Sequence, residues 1–161
     1  MNDSSRTAPS GHAYAAKDLL QSRFSGTLST HSSHQQGFPF GSMMPYALDQ
    51  EEKPIFLISR LAMHTRNIIK NPKASLFVTG QADENNQLST ARVTCMGELL
   101  AVDNDETRAC YLKAHPDAQQ WVDFADFSFY RMEISAIYFV AGFGKMGWVD
   151  LAEYRSLPED S

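Results

Sequence analysis

The chain has 161 residues, with 19 acidic and 14 basic side chains and a net charge of -5 at neutral pH. That length suits one domain with a real core, and an acidic balance without a basic stripe argues against nucleic acid as a partner. No stretch approaches the roughly 20 apolar residues of a membrane-spanning helix, and polar Met1 to Gly11, with an acid at Asp3, has no secretory run behind it; the expectation is a cytoplasmic protein with no membrane contact.

Residues 1–11, rich in Ser, Asn and Pro, read as a disordered tail. The domain is expected over 12–155, with a second short tail at 156–161. Ala13 to Phe24 is predicted helical, because Ala16, Leu19, Leu20 and Phe24 fall near helical spacing. Two strands follow, Gly26 to Thr30 and Ser42 to Leu48, joined by a loop from His31 to Gly37 built of turn-forming residues. His31 and His34 read as exposed turn histidines, since a metal site needs a third ligand that is not visible nearby. Pro45 cannot join a central ladder, so it marks a sheet edge or a bulge and leaves neighbouring backbone groups free to meet a ligand.

Pro54 to Leu76 is the most informative stretch: a strand over Ile55 to Ser59, a polar turn, a short helix, then a strand over Ala74 to Gly80. Asn71-Pro72 stops the helix, because the residue before a proline is pushed out of the α region. The first backbone N–H groups of a helix lack internal partners and carry partial positive charge. Ser59, Arg60, His64, Thr65, Arg66 and Asn67 surround that start with hydroxyls, amides and cations, the donor types that hold a phosphate monoester. A solvated basic turn is the competing reading.

Thr90 to Val102 alternates, with Ala91, Val93, Cys95 and Leu99 on one face and Arg92, Thr94, Met96 and Glu98 on the other. Arg92 either faces a cofactor or sits on the wet side of a half-buried strand. Asp103 with Glu106 approximates a capping box for a helix ended by His115-Pro116. A second short helix is predicted over Ala118 to Phe124, and final strands over Phe127 to Glu133 and Ile137 to Ala141. Gly142 to Gly147 reads as a loop lining a pocket, with Lys145 its one cation. Cys95 and Cys110 are far apart and outside any C-x-x-C spacing, which argues against zinc or a redox pair. The chain has no Walker loop, no G-x-S-x-G elbow, no dinucleotide fingerprint and no H-E-x-x-H. Many strands and few helices predict a mainly β, α+β fold with antiparallel pairing in a Greek-key or meander barrel.

Four segments carry a resemblance: Gly37-Phe-Pro-Phe-Gly-Ser-Met-Met-Pro-Tyr-Ala47, Phe56 to Ile68, Asn71-Pro-Lys-Ala-Ser-Leu76 and Ala91-Arg-Val-Thr-Cys-Met-Gly97. In this order they resemble the pyridoxamine 5'-phosphate oxidase-like, FMN-binding split-barrel family. His115-Pro116, Asp126-Phe127 and Phe139 to Gly144 are similar to its haem-utilisation branch. The resemblance implies a six-stranded antiparallel split barrel and a homodimer with FMN in the cleft between subunits. Ser42, Met44, Pro45 and Tyr46 would run along the flavin, Ile58, Ser59 and His64 to Asn67 would receive its phosphate, and Arg92 would approach the ring.

The departures are specific. The family's oxidase carries cations at the positions of Ser42 and Ala47, so pyridoxamine phosphate oxidation is not expected, and Met63 and His64 replace a strongly basic pair. Haem-branch members ligate iron through a histidine beyond the last strand, whereas this chain has none after His115, although Asp126 matches an acid that supports that ligand. Longer relatives carry a second C-terminal domain, which is not expected within these 161 residues. The leading expectation is an FMN-dependent oxidoreductase acting on an unidentified small-molecule substrate. The alternatives are a haem-binding or haem-degrading protein and a non-catalytic dimeric binding module.

Overall fold

The computed structural model describes residues 11–158, so the expected N-terminal tail, apart from Gly11, and the last three residues lie outside the described part. Along the chain lie α1 (His12–Ser22), β1 (Ser25–His31), β2 (Pro39–Pro45), β3 (Ala47–Leu48), β4 (Pro54–Ser59), α2 (Met63–Lys70), β5 (Lys73–Thr79), β6 (Arg92–Val102), α3 (Asp105–Ala114), β7 (Phe127–Gly142), β8 (Lys145–Trp148) and α4 (Leu151–Ser156). Short 3-10 turns occupy Gln87–Ser89 and Pro116–Gln120.

The eight strands form one sheet in the order β2-β1-β5-β6-β7-β4-β3, with β8 also on β7, and every pairing is antiparallel. The two ends of this path, β2 and β3, are separated in the chain only by Tyr46. Two residue steps span at most about 7 Å, so the sheet has to curl until its ends nearly meet, as in a split barrel. Three hydrogen bonds hold Tyr46 at this seam. Its hydroxyl donates to the Leu20 carbonyl at 2.7 Å, its amide to Phe24 O at 3.0 Å, and its own carbonyl lies 2.6 Å from His115 Nε2.

The apolar pattern fills two cores. Inside the barrel, Ala16 and Leu20 of α1 pack with Leu28, Phe56, Leu76, Val93, Ile137 and Phe139. Outside it, Ala47, Ile55, Leu57 and Phe129 meet Tyr111, Ala118 and Val122 from α3 and the 3-10 turn after it. Successive residues of β4 therefore point into different cores, which is why Pro54 to Ile58 is buried on both faces.

Several expectations need correction. Eight strands replace six, because the predicted second strand divides at Tyr46 and Lys145–Trp148 adds a hairpin partner to β7. The expected pocket loop is that hairpin's turn, with Gly142 and Gly144 at φ 147 and 73. The two predicted final strands are one, Phe127–Gly142, whose register shifts between Met96 and Gly97 so that Ser135 is extra. Helix α1 stops at Ser22 because Arg23 is extended, leaving Phe24 outside and exposed. Asn104, not Asp103, caps α3, its side chain accepting from Thr107 N at 2.8 Å. The helix predicted from Ala118 instead starts at Pro116 as a 3-10 turn, with Ala118 N bonded to His115 O and Trp121 N to Ala118 O. Helix α4, Leu151–Ser156, lies within the expected domain and reaches one residue into the segment expected as a tail.

Gly97 is what the bulge requires. A Cβ there would collide with the Glu133 carbonyl oxygen and carbon, both rigid backbone. Gly97→Ala should destabilise the fold by about 3 kcal/mol in chemical denaturation, at the upper end of the usual cost of overpacking, whereas Gly41→Ala, whose Cβ meets nothing closer than 3.5 Å, should stay within about 1 kcal/mol as an ordinary surface substitution.

Candidate functional site

The turn between β4 and α2 does bring the predicted residues together. Ile58 is buried at the end of β4, and Ser59 turns its hydroxyl onto the Asp126 carboxylate at 2.5 Å while accepting from Leu61 N at 3.1 Å. Arg60 N donates to Asp126 O at 2.8 Å. The residue preceding α2 is Ala62, whose side chain cannot cap, so the first-turn N–H groups depend on something other than a cap. Arg60 and Arg66 are exposed around this start.

The inner face of α2 is used differently. Asn67 is fully buried; its Oδ1 accepts from Ser33 N at 2.9 Å and Ser33 Oγ at 2.8 Å, and its Nδ2 donates to Thr30 Oγ1 at 3.0 Å. That side chain is thereby committed to holding the segment after β1. Thr65 Oγ1, His64 Nε2 and Ser42 Oγ are buried without a hydrogen-bond partner among the described residues. Burial holds the His64 imidazole below its ordinary pKa of 6.5, which disfavours its charged form.

As a phosphate grip the turn is mixed. Thr65, the uncapped helix start and two exposed arginines suit an anion, but the Ser59 hydroxyl is taken by a carboxylate, Asn67 is spent on structure and burial disfavours a charge on His64. The other predicted residues stand apart. Met44 faces the core from the terminal strand β2, on which Ser42 is half-buried, and Pro45 ends that strand, which accounts for the edge read from the sequence. Tyr46 is buried at the seam with its hydroxyl, amide and carbonyl all bonded. Arg92 Nη1 folds back onto the Leu88 and Thr90 carbonyls at 3.2 and 3.1 Å, and Lys145 is exposed at the start of β8. Ser59 lies opposite Phe127 while Arg92 lies opposite Val140, the two ends of β7, roughly 40 Å apart measured along the strand.

One further cleft was not legible as a site. It has a volume of 810 Å3 and runs across β1, β5, β6 and β7 near the bulge, with His31, Lys73, Met96, Ile134 and Arg155 in its wall. His31 was read as a loop residue, but its pairing with Pro39 makes it the last residue of β1. Its neighbour Thr30 is the acceptor for Asn67 Nδ2, so α2 braces the strand end that carries His31.

Among the described residues no cluster of three or more His, Cys, Asp or Glu is arranged to hold a metal ion, and no helix is long and apolar enough to cross a membrane. The half-buried His64 imidazole has a consequence for stability. Its folded pKa is depressed, so below 6.5 the unfolded chain takes up the proton more readily and stability falls as pH drops towards the folded value. Denaturation midpoints should therefore decline on acidification below about pH 6.5, and His64→Gln should flatten that decline.

The comparisons with known proteins follow the same lines. The family model described as CREG, beta-barrel matches residues 7–156. Over 129 residues the chain is 38% identical to the non-canonical heme oxygenase HOZ, chloroplastic, of Arabidopsis thaliana, covering 78% of this chain and 39% of that protein. It is 29% identical over 153 residues to the heme oxygenase HutZ of Vibrio cholerae, covering 89% of this chain and 85% of the relative. Among solved structures, a heme binding protein from Mycobacterium smegmatis superposes with a TM-score of 0.83 at 29% identity, over 93% of this chain and 62% of that one. The chain thus spans well under half of the plant relative and about three fifths of the mycobacterial one. With a family model matching almost end to end, the chain belongs to the CREG β-barrel family of the FMN-binding split-barrel superfamily, nearest its haem-utilisation branch.

Proposed function

We propose that this protein binds haem and takes part in its oxidative degradation. The flavin-dependent oxidoreductase ranked first on sequence gives way to its haem alternative. The observation that carries the proposal is the run of relatives named for haem across most of this chain, at up to 38% identity. The geometry of the β4–α2 turn supports it. In the place where an FMN phosphate was expected, the Ser59 hydroxyl is bonded to the Asp126 carboxylate, and a carboxylate beside a phosphate dianion is repulsive. Haem, when bound, supplies an iron that activates dioxygen and a porphyrin that is oxidised, with electrons from an external reductant. The protein's part is to hold the ring, satisfy its two carboxylates and limit access of water.

The functional unit in this reading is a homodimer. Met43, Thr27, Phe77, Thr94, Tyr138 and Trp148 are successive cross-strand partners on β2, β1, β5, β6, β7 and β8, so they form one row across the outside of the sheet. Met43 is 75% exposed and Trp148 47% exposed. In this row the apolar and aromatic Met43, Phe77, Tyr138 and Trp148 are interspersed with Thr27 and Thr94; exposed apolar surface of this kind suits association, and a second copy presents the same row for a two-fold contact. Sedimentation should show a dimer that Phe77→Glu converts to monomer with unchanged circular dichroism; a wild-type monomer at micromolar concentration would contradict the assembly.

Parallel titrations test the cofactor. Hemin should give a saturable, sharpened Soret band, and FMN fluorescence should stay unquenched at the same protein concentration. Quenching of FMN together with an unperturbed hemin spectrum would reverse the assignment.

A further inference from the structure

We propose that a cavity between α1 and α4 is a binding site for a small organic acid, whose carboxylate is held by the ammonium of Lys17 and, at the mouth, by the guanidinium of Arg155. This goes beyond the haem reading and does not rest on it. The cavity has a volume of 520 Å3 and is walled by α1, the turn between β3 and β4, β7 and α4. That volume falls within the range of small-molecule sites, about 300–1,000 Å3. No residue of the exposed row offered to a second copy lines it.

A buried charge with neutral partners carries the proposal. Lys17 is only 5% exposed, yet it forms no ion pair among the described residues. Its ammonium donates to the Leu157 carbonyl at 3.0 Å and lies 5.9 Å from the centroid of the Tyr154 ring. An ammonium has three donors, and burying one without an opposite charge is costly. One carbonyl and one aromatic face offset part of that cost, and a carboxylate in the cavity beside Lys17 offsets the rest.

The acids of the wall are engaged elsewhere. Glu51 pairs with Lys53 at 2.7 Å, and Glu133 pairs with Lys53 and with Arg131, each at 3.0 Å. Glu52 accepts from Gln21 Nε2 at 3.1 Å, and its charge confines an incoming carboxylate to the Lys17 side. Arg155 is exposed and uses Nη2 on the Ile134 carbonyl at 3.1 Å, with no ion pair among the described residues. Ile134, Leu151 and the Tyr154 ring supply apolar surface for the body of the acid. The Tyr154 hydroxyl is buried with no hydrogen-bond partner among the described residues, and burial pushes its pKa upward, which keeps it protonated.

The elements that present these groups are themselves fastened, as a preorganised site requires. Asp150 caps α4, its carboxylate accepting from Ala152 N at 2.8 Å and Glu153 N at 3.1 Å. Ala16 and Leu20, on either side of Lys17 along α1, are buried in the barrel core together with Tyr154. An acid held by Lys17 and Arg155 therefore joins α1 to α4, and its binding stabilises the folded state.

Titration of the full, haem-free chain with sodium benzoate tests the assignment, read by saturation-transfer NMR and by the melting temperature, with benzamide as the uncharged isostere. Benzoate should bind saturably and raise the melting temperature, and benzamide should bind about tenfold more weakly or less. Lys17→Met keeps an apolar stem and removes the charge, so it should weaken benzoate about tenfold or more and abolish the thermal shift. Arg155→Gln changes an exposed side chain, so it should keep the wild-type circular dichroism and still weaken benzoate severalfold; it carries the test should Lys17→Met not fold. Absence of saturable benzoate binding, equal binding of benzoate and benzamide, or benzoate binding unchanged by these substitutions would overturn the inference. The haem reading fails separately, through an unperturbed hemin spectrum.

Discussion

The connection between the two ends of the sheet is the constraint on which the remaining structure depends. Strands β2 and β3 lie at opposite ends of a seven-strand path and are joined by one residue, Tyr46. A flat sheet cannot satisfy that connection, so the path curls, and its curl makes the interior that α1 fills with Ala16, Leu19 and Leu20. The bonds of Tyr46 to Leu20 and Phe24 tie the seam to the segment from α1 to β1, and the bond to His115 ties it to the end of α3. Burial pushes the Tyr46 phenol well above its usual pKa, so the hydroxyl remains a donor throughout the physiological range. Closure, helix docking and the second core outside β4 meet at this residue.

The second dependency runs through α2. Its residue types are those of an anion site, and its exposed half keeps that character in Arg60 and Arg66. Its buried half is a brace, in which one amide side chain satisfies two donors and one acceptor on the β1 end and the following loop. Burying Asn67 without those partners would cost on the order of 1–3 kcal/mol per unmet group, so the arrangement is self-consistent only when helix and loop are docked together. A short helix between two strands can therefore serve to hold a neighbouring segment in place, and the segment held here carries His31.

Much of this was readable in the sequence where local chemistry decides the outcome. The alternation of Val93, Cys95 and Leu99 against Arg92, Thr94 and Met96 fixed the faces of β6, and Pro45 marked a terminal strand because it cannot donate to a ladder. Asn71-Pro72 ended α2 as expected. The failures occurred where distant segments decide. The bulge at Ser135 depends on Gly97 in another strand, so one strand was read as two. The division of the second strand at Tyr46 follows from barrel closure, which has no local signature. The bond between Ser59 and Asp126 joins residues far apart in sequence, and it removed a hydroxyl assigned to a phosphate. His31 looked like a turn residue because its strand partner, Pro39, is a poor strand former.

The proposed haem reading and the state of the β4–α2 turn belong together: where an FMN phosphate was expected, Arg60 and Arg66 stay exposed, but the Ser59 hydroxyl is bonded to the Asp126 carboxylate and Asn67 is committed to holding the end of β1. The absorption spectrum of the protein freshly purified from haem-supplemented cells bears on it most directly. The account predicts a Soret band that is removed on stripping the haem and returns on reconstitution, with no flavin absorption. A flavin spectrum without a Soret band would contradict it.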